Sequence, residues 1–233
     1  MTERIIAFDG LDCIGKTAII NSLHDKLIKL DYIPYIFHLT SPTNDYNTFF
    51  TDYNFGYLNR RETNSIIQWS KFIQTFNMIK EILSESQRNI VILDRTPFSE
   101  NIWNKFFHRE NEYNNERIFN TFLTLYNDIL EKMLYVNLDV ESNILTNRIA
   151  EREIDKNNYI KFFNLTYESE TDRQKDDISK IFQVVNIMKE EFNKLLIELR
   201  KFNVNIKTCS NNNIEDINFI VNNIINELSL AIN

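Results

Sequence analysis

A short apolar run, Arg4 to Phe8, stops at Asp9 and is followed by Gly10-Leu11-Asp12-Cys13-Ile14-Gly15-Lys16-Thr17. Two of the chain's three glycines fall in these eight residues. The run predicts a buried strand, because continuous apolar residues suit a strand covered on both faces. After the loop, Ile19, Ile20, Leu23, Leu27 and Leu30 repeat at helical spacing, which predicts a helix over Lys16–Leu30. Strand, G-x-x-x-x-G-K-[ST] and helix in that order form an anion-binding turn. Gly10 permits the tight exit from the strand, and Gly15 permits backbone angles and close approach that other residues resist. Successive N–H groups then face one point at a helix N-terminus. Gly10, Asp12, Cys13, Ile14, Gly15, Lys16, Thr17 and Ala18 are therefore the expected ATP contacts. Lys16 is expected to reach the β- and γ-phosphates, and the Thr17 hydroxyl to ligate Mg²⁺.

Further short apolar strands are expected at Tyr35–Leu39, Asn89–Leu93, Leu134–Leu138 and Val204–Cys209. Helices are expected at Asn64–Ser84, Phe119–Lys132, Ile144–Arg152, Ser179–Phe202 and Ile214–Leu230. Thr40–Thr63 is expected to be loop with a short helix, and Asp155–Asn158 to break the helical pattern. Strands alternating with helices predict an α/β fold, with a five-stranded parallel sheet flanked by helices in three layers. One domain of 233 residues accommodates this, with a charged helical lid at about 146–177.

The net charge of −7 argues against a polyanion-binding face, so no nucleic-acid polymer is expected as a partner. Two distant cysteines suit a reducing compartment. No apolar run approaches bilayer length and the N-terminus is unlike a signal peptide, so a cytoplasmic protein with no membrane partner is expected. Cys13 lacks a neighbouring His or second Cys and is read as a small loop residue. His24 and His108 are assigned no role.

At the end of the third strand stands Asp94-Arg95-Thr96-Pro97-Phe98-Ser99. Ligands of open α/β sheets bind at such carboxyl ends. Asp94 is placed to hold the Mg²⁺ shell, and Arg95 to fork onto a second phosphate. A strand-end ion pair is the alternative. No N-K-x-D stretch for reading guanine stands in the expected place, which turns the expectation toward small-molecule kinases.

These residues resemble the thymidylate kinase family. F-D-G-L-D-x-x-G-K-T is similar to its phosphate loop, D-R-T-P-F-S to its D-R-x-x-x-S segment, and Leu145 to Asp155 to its R-[IL]-x-x-R-x-x-D lid. Thr208 to Ile225 resembles the family's final strand and helix. Deoxynucleoside kinases share the fold and a similar D-R or E-R segment. The resemblance implies a P-loop kinase fold and ATP-dependent phosphoryl transfer to a deoxynucleoside monophosphate, dTMP or a related or modified pyrimidine. A deoxynucleoside kinase acting on a 5′-hydroxyl is the rival, and a non-catalytic nucleotide-binding module the reading from another class. The resemblance also implies small-molecule nucleotide partners and a homodimer.

By the same resemblance Asp12 lies near the acceptor sugar, Arg95 and Ser99 serve the acceptor, and a lid arginine, Arg148 or Arg152, is catalytic. Solvated helix charge is the alternative for both arginines. The chain departs from the family after its second strand. There His38 to Asp45 reads H-L-T-S-P-T-N-D, without the arginine of F-P-x-R. The base-reading F-x-x-x-R is replaced by Gln68 to Gln74, Q-W-S-K-F-I-Q. Trp69 or Phe72 could stack on a base and Gln68 or Gln74 pair with its edge, or the two rings could belong to an ordinary core stripe. A nucleoside acceptor would need a carboxylate base, for which Asp45 is the nearest acid.

Overall fold

The computed structural model describes residues 4–39, 60–99, 102, 120–167 and 175–228. Five strands form one sheet: β1 (Ile5–Asp9), β2 (Ile33–His38), β3 (Asn89–Asp94), β4 (Met133–Asp139) and β5 (Asn205–Ser210). They lie in the order β2-β3-β1-β4-β5, and all neighbours are parallel. Strands β1 and β3 are buried at every residue, which requires both sheet faces to be covered. The edge strands β2 and β5 are only partly buried.

The main helices are α1 (Lys16–Lys29), α2 (Arg60–Glu85), α3 (Asn127–Leu130), α4 (Ser142–Ala150), α5 (Glu153–Thr166), α6 (Asp177–Arg200) and α7 (Asp216–Glu227). Helix α1 packs on α7, β2 and β3, while α6 packs on α4, α5 and β5. This three-layer arrangement, with the glycine loop joining β1 to α1, is the P-loop kinase fold. Among the described residues no helix is long and apolar enough to cross a membrane.

The parallel register aligns the strand ends that carry the site. Phe8 pairs with Asp94, and Asp9 pairs with Asn137. Three strands, β1, β3 and β4, end in Asp9, Asp94 and Asp139. Their polar last residues explain why apolar patterning sets each boundary one residue early.

Several expected boundaries are corrected. Helix α2 begins at Arg60, four residues before the expected Asn64. The rest of the expected loop, residues 40–59 including Asp45, lies outside the described residues. The helix expected over Phe119–Lys132 is helical at 120–125, turns at Tyr126, and resumes as α3. The last helix starts at Asp216, and residues 229–233 lie outside the described residues.

The largest correction is at Asp155–Asn158, which lie inside α5 rather than breaking a helix. Glu153 and Asp155 occupy its first turn, where carboxylates oppose the positive end of the helix dipole. Its apolar face starts one turn later, with Tyr159 and Phe163 fully buried and Phe162 nearly so. The described part of the expected lid is thus anchored in the core, whereas residues 168–174 lie outside the described residues. Phe163→Ala is expected to destabilise the protein by about 3–5 kcal/mol through cavity formation. Urea denaturation followed by circular dichroism checks this, and a change under about 1 kcal/mol would show that α5 is not part of the cooperative core.

Candidate active site at the carboxyl ends of the sheet

The loop after β1 adopts the backbone its glycines allow. Gly10 has φ 138° and Gly15 has φ 93°. A Cβ on Gly10 would lie 2.8 Å from the Leu138 carbonyl oxygen, so the turn closes tightly against β4. Cys13 also has positive φ, at 59°. Lys16 opens α1, and its ammonium turns back to donate to the Gly10 and Leu11 carbonyls at 3.0 and 2.9 Å. Burial, and next the Arg95 guanidinium, push the Lys16 ammonium down to about 8.

The second segment reaches the same place from β3. Arg95 has φ 71°, a left-handed conformation that is costly for a non-glycine residue. Its amide donates to the Phe8 carbonyl at 2.9 Å, and its guanidinium pairs with Asp12 at 2.5 Å. The next residue holds this turn in place. The Thr96 hydroxyl donates to the Asp9 carboxylate at 2.5 Å, and the Tyr135 hydroxyl donates to it at 3.1 Å. Asp9 is fully buried, and that burial pushes its carboxyl above the usual range against the pull of these partners. Thr96 Oγ1 accepts from the Phe98 amide, and Ser99 Oγ donates to the Thr96 carbonyl.

Asp12, Cys13, Ile14, Gly15, Lys16, Thr17, Ala18, Asp94, Arg95, Arg148, Glu151 and Arg152 line one open cavity of about 570 Å³. That volume is in the range of small-molecule sites. Every expected ATP contact except Gly10 lines it. Gly10 lines a smaller cavity of about 120 Å³ behind the loop, with Leu138, Lys189 and Phe192.

The two arginines of the expected lid, alike in sequence, differ in their contacts. Arg148 donates to the Asn211 and Asn212 carbonyls at 3.1 and 2.8 Å, so its guanidinium is tied to the loop after β5. Arg152 is two-thirds exposed and reaches Cys13 Sγ at 3.4 Å and Asp155 at 3.4 Å. Asp155 also contacts Cys13 Sγ at 3.2 Å, which brings the start of α5 against the glycine loop after β1. Burial pushes the Cys13 thiol up to about 11, so the thiolate is scarce near neutrality.

Other expected substrate residues lie away from the cavity. Phe72 is fully buried and Trp69 4% exposed, with ring centroids 5.5 Å apart. Trp69 also packs on Phe122. The core stripe, not base stacking, describes these rings. Gln74 is exposed on α2, and Ser99 is buried behind Arg95 at 1% exposure.

Thr17 is exposed and Asp94 lines the cavity, so a hydroxyl and a carboxylate face the same space. No group of three or more His, Cys, Asp or Glu among the described residues could hold a metal. Two hard oxygen ligands fit Mg²⁺, which binds through few protein groups plus phosphates and water. Asp94 also pairs with His38 Nδ1 at 3.0 Å.

Sequence reasoning missed Asp9, Thr96, Tyr135, His38 and Asn211. An acid and a tyrosine within apolar strands were signals for the first and third, since buried carboxylates and phenols seek partners.

No protein-family model matches the chain, and no curated protein does. Among solved structures it is similar to the YorR protein of Bacillus subtilis in complex with phosphorylated GDP. The identity is 16% and the TM-score 0.46, covering 97% of this chain and 96% of that one. It is also similar to deoxyadenosine kinase from M. mycoides with bound dATP, at 16% identity and TM-score 0.47, covering 94% and 98%. The same enzyme with bound dCTP matches at 17% and 0.43, covering 95% and 99%.

The Lys16 environment makes a pH prediction. Its folded value of about 8 lies below the ordinary 10.5. Between the two the unfolded chain binds more protons, so stability rises with pH there. From pH 7.5 to pH 9.5 the wild type should gain about 2 kcal/mol relative to Lys16→Met. Urea midpoints of both proteins at the two pH values check this, and parallel curves would sink it.

Proposed function

We propose that the protein is an ATP-dependent nucleotide kinase that moves the γ-phosphoryl group to a deoxynucleoside monophosphate, dTMP or a related pyrimidine nucleotide. The observation that carries the reading is the convergence of two cations from different strands on one cavity. Lys16 belongs to the loop after β1, and Arg95 to the left-handed turn after β3. The first suits a triphosphate donor and the second a phosphorylated acceptor.

The chemistry needs little acid–base help. A phosphate monoester has its second pKa at about 6, so the acceptor oxygen is already ionised near neutrality. Catalysis is then positioning and charge neutralisation. Loop amides from Ile14 to Ala18 hold the donor phosphates, and Lys16 leaves the Gly10 and Leu11 carbonyls to meet them. Mg²⁺, held by Thr17 and the Asp94 shell, would supply charge neutralisation between the phosphates. Arg152, exposed at the loop mouth, is the candidate to face the transferring group. Arg148, tied to the Asn211 and Asn212 carbonyls, is assigned to holding the lid helix. Asp12 keeps Arg95 oriented until the acceptor enters.

One observation favours a second reading, a deoxynucleoside kinase. Arg95 is already neutralised by Asp12 at 2.5 Å, which weakens it as a phosphate grip and leaves a carboxylate beside the acceptor space. A neutral hydroxyl acceptor suits that pair better.

The test supplies the purified protein with ATP, Mg²⁺ and either dTMP or thymidine, and follows ADP release. Turnover with dTMP alone is expected. Turnover with thymidine alone would overturn the first reading in favour of the second. Lys16→Ala should lower transfer by about 10²–10³-fold without loss of the folded circular-dichroism spectrum; full activity would overturn the site assignment.

A further inference from the structure

We propose that Asn211 is a positioning residue for the donor nucleotide, acting on the phosphate loop from behind; this rests on the nucleotide reading of the loop. Asn211 is the first residue after β5 and is 4% exposed. It does not line the cavity. Its side-chain amide donates to the Ile14 carbonyl at 2.7 Å across 197 positions of sequence. Its backbone amide donates to the Asp139 carbonyl at 2.8 Å, and its own carbonyl accepts from Arg148 at 3.1 Å. One residue therefore joins the end of β4, the lid helix α4 and the phosphate loop.

The consequence for the loop follows from peptide planarity. In a trans peptide the C=O and N–H point in opposite directions. The Ile14–Gly15 peptide has its carbonyl turned to Asn211, so the Gly15 N–H is turned away from Asn211. The loop uses such N–H groups to hold phosphate oxygens. A flip of this peptide would aim a carbonyl at the anion instead. Asn211 also accounts for the smallness of residue 15. A Cβ there would stand 2.4 Å from the Asn211 amide nitrogen, too close for any real contact. Gly15 is needed for its φ of 93° and for the space that Asn211 occupies.

Asn211→Asp keeps the shape and replaces the donor with acceptors facing the Ile14 carbonyl. Calorimetric titration with ATP and Mg²⁺, and separately with dTMP, measures each side of the cavity. Asn211→Asp is expected to weaken ATP at least tenfold while leaving dTMP within about twofold. Should Asn211→Asp fail to fold, Asn211→Ala makes the same comparison without adding charge. ATP binding equal to wild type in the folded variant overturns the assignment. So does an equal loss for ATP and dTMP, which would mark general loosening. Wild type that binds no ATP overturns the nucleotide reading itself, and that outcome is distinct from a variant that matches an ATP-binding wild type.

Discussion

The site depends on one buried carboxylate. Asp9 ends the central strand with no solvent exposure and accepts from the Thr96 hydroxyl, the Tyr135 hydroxyl and the Gly10 amide. Those donors come from the turn after β3, from β4 and from the glycine loop after β1. A carboxylate is costly to bury, and the cost is offset only while all its partners stay in place. That requirement fixes three chain segments relative to one another at the sheet's carboxyl edge. The left-handed turn at Arg95 persists because Thr96, its neighbour, is held on Asp9 and Arg95's own amide is held on Phe8.

Around that anchor the charges balance locally despite the net charge of −7. Arg95 faces Asp12, Lys16 rests on two carbonyls, and Arg152 meets Asp155. Each cation has a modest partner that a more strongly charged ligand can replace. An acidic protein can thus gather four cations and three acids around one cavity without a broad basic surface, an arrangement that on the proposed reading suits a small anionic ligand.

Much of this was legible in the sequence because it rests on backbone rules. Doubly covered strands read as unbroken apolar runs, and Gly10 and Gly15 mark turns few residues can make. What was hidden depends on pairing across the fold. Asp155–Asn158 look like a break until the helix dipole gives Asp155 a place in a first turn. Arg148 and Arg152 look alike until the Asn211 and Asn212 carbonyls claim one of them. Asn211 stands in a run of three asparagines, and nothing local sets it apart. Trp69 and Phe72 show the limit from the other side: aromatic rings at helical spacing carry the same pattern whether they face a ligand or, as here, the core.

The inward fold of Lys16 has a consequence for selectivity. An entering anion gains the ammonium only by drawing it off the Gly10 and Leu11 carbonyls. On the proposed reading a polyphosphate would engage several loop amides at once and could drive that exchange. Free inorganic phosphate or sulfate would engage fewer of them and would have less to offset the loss of the two lysine hydrogen bonds. On the proposed reading the loop would thereby discount small anions by its resting hydrogen bonds rather than by its shape.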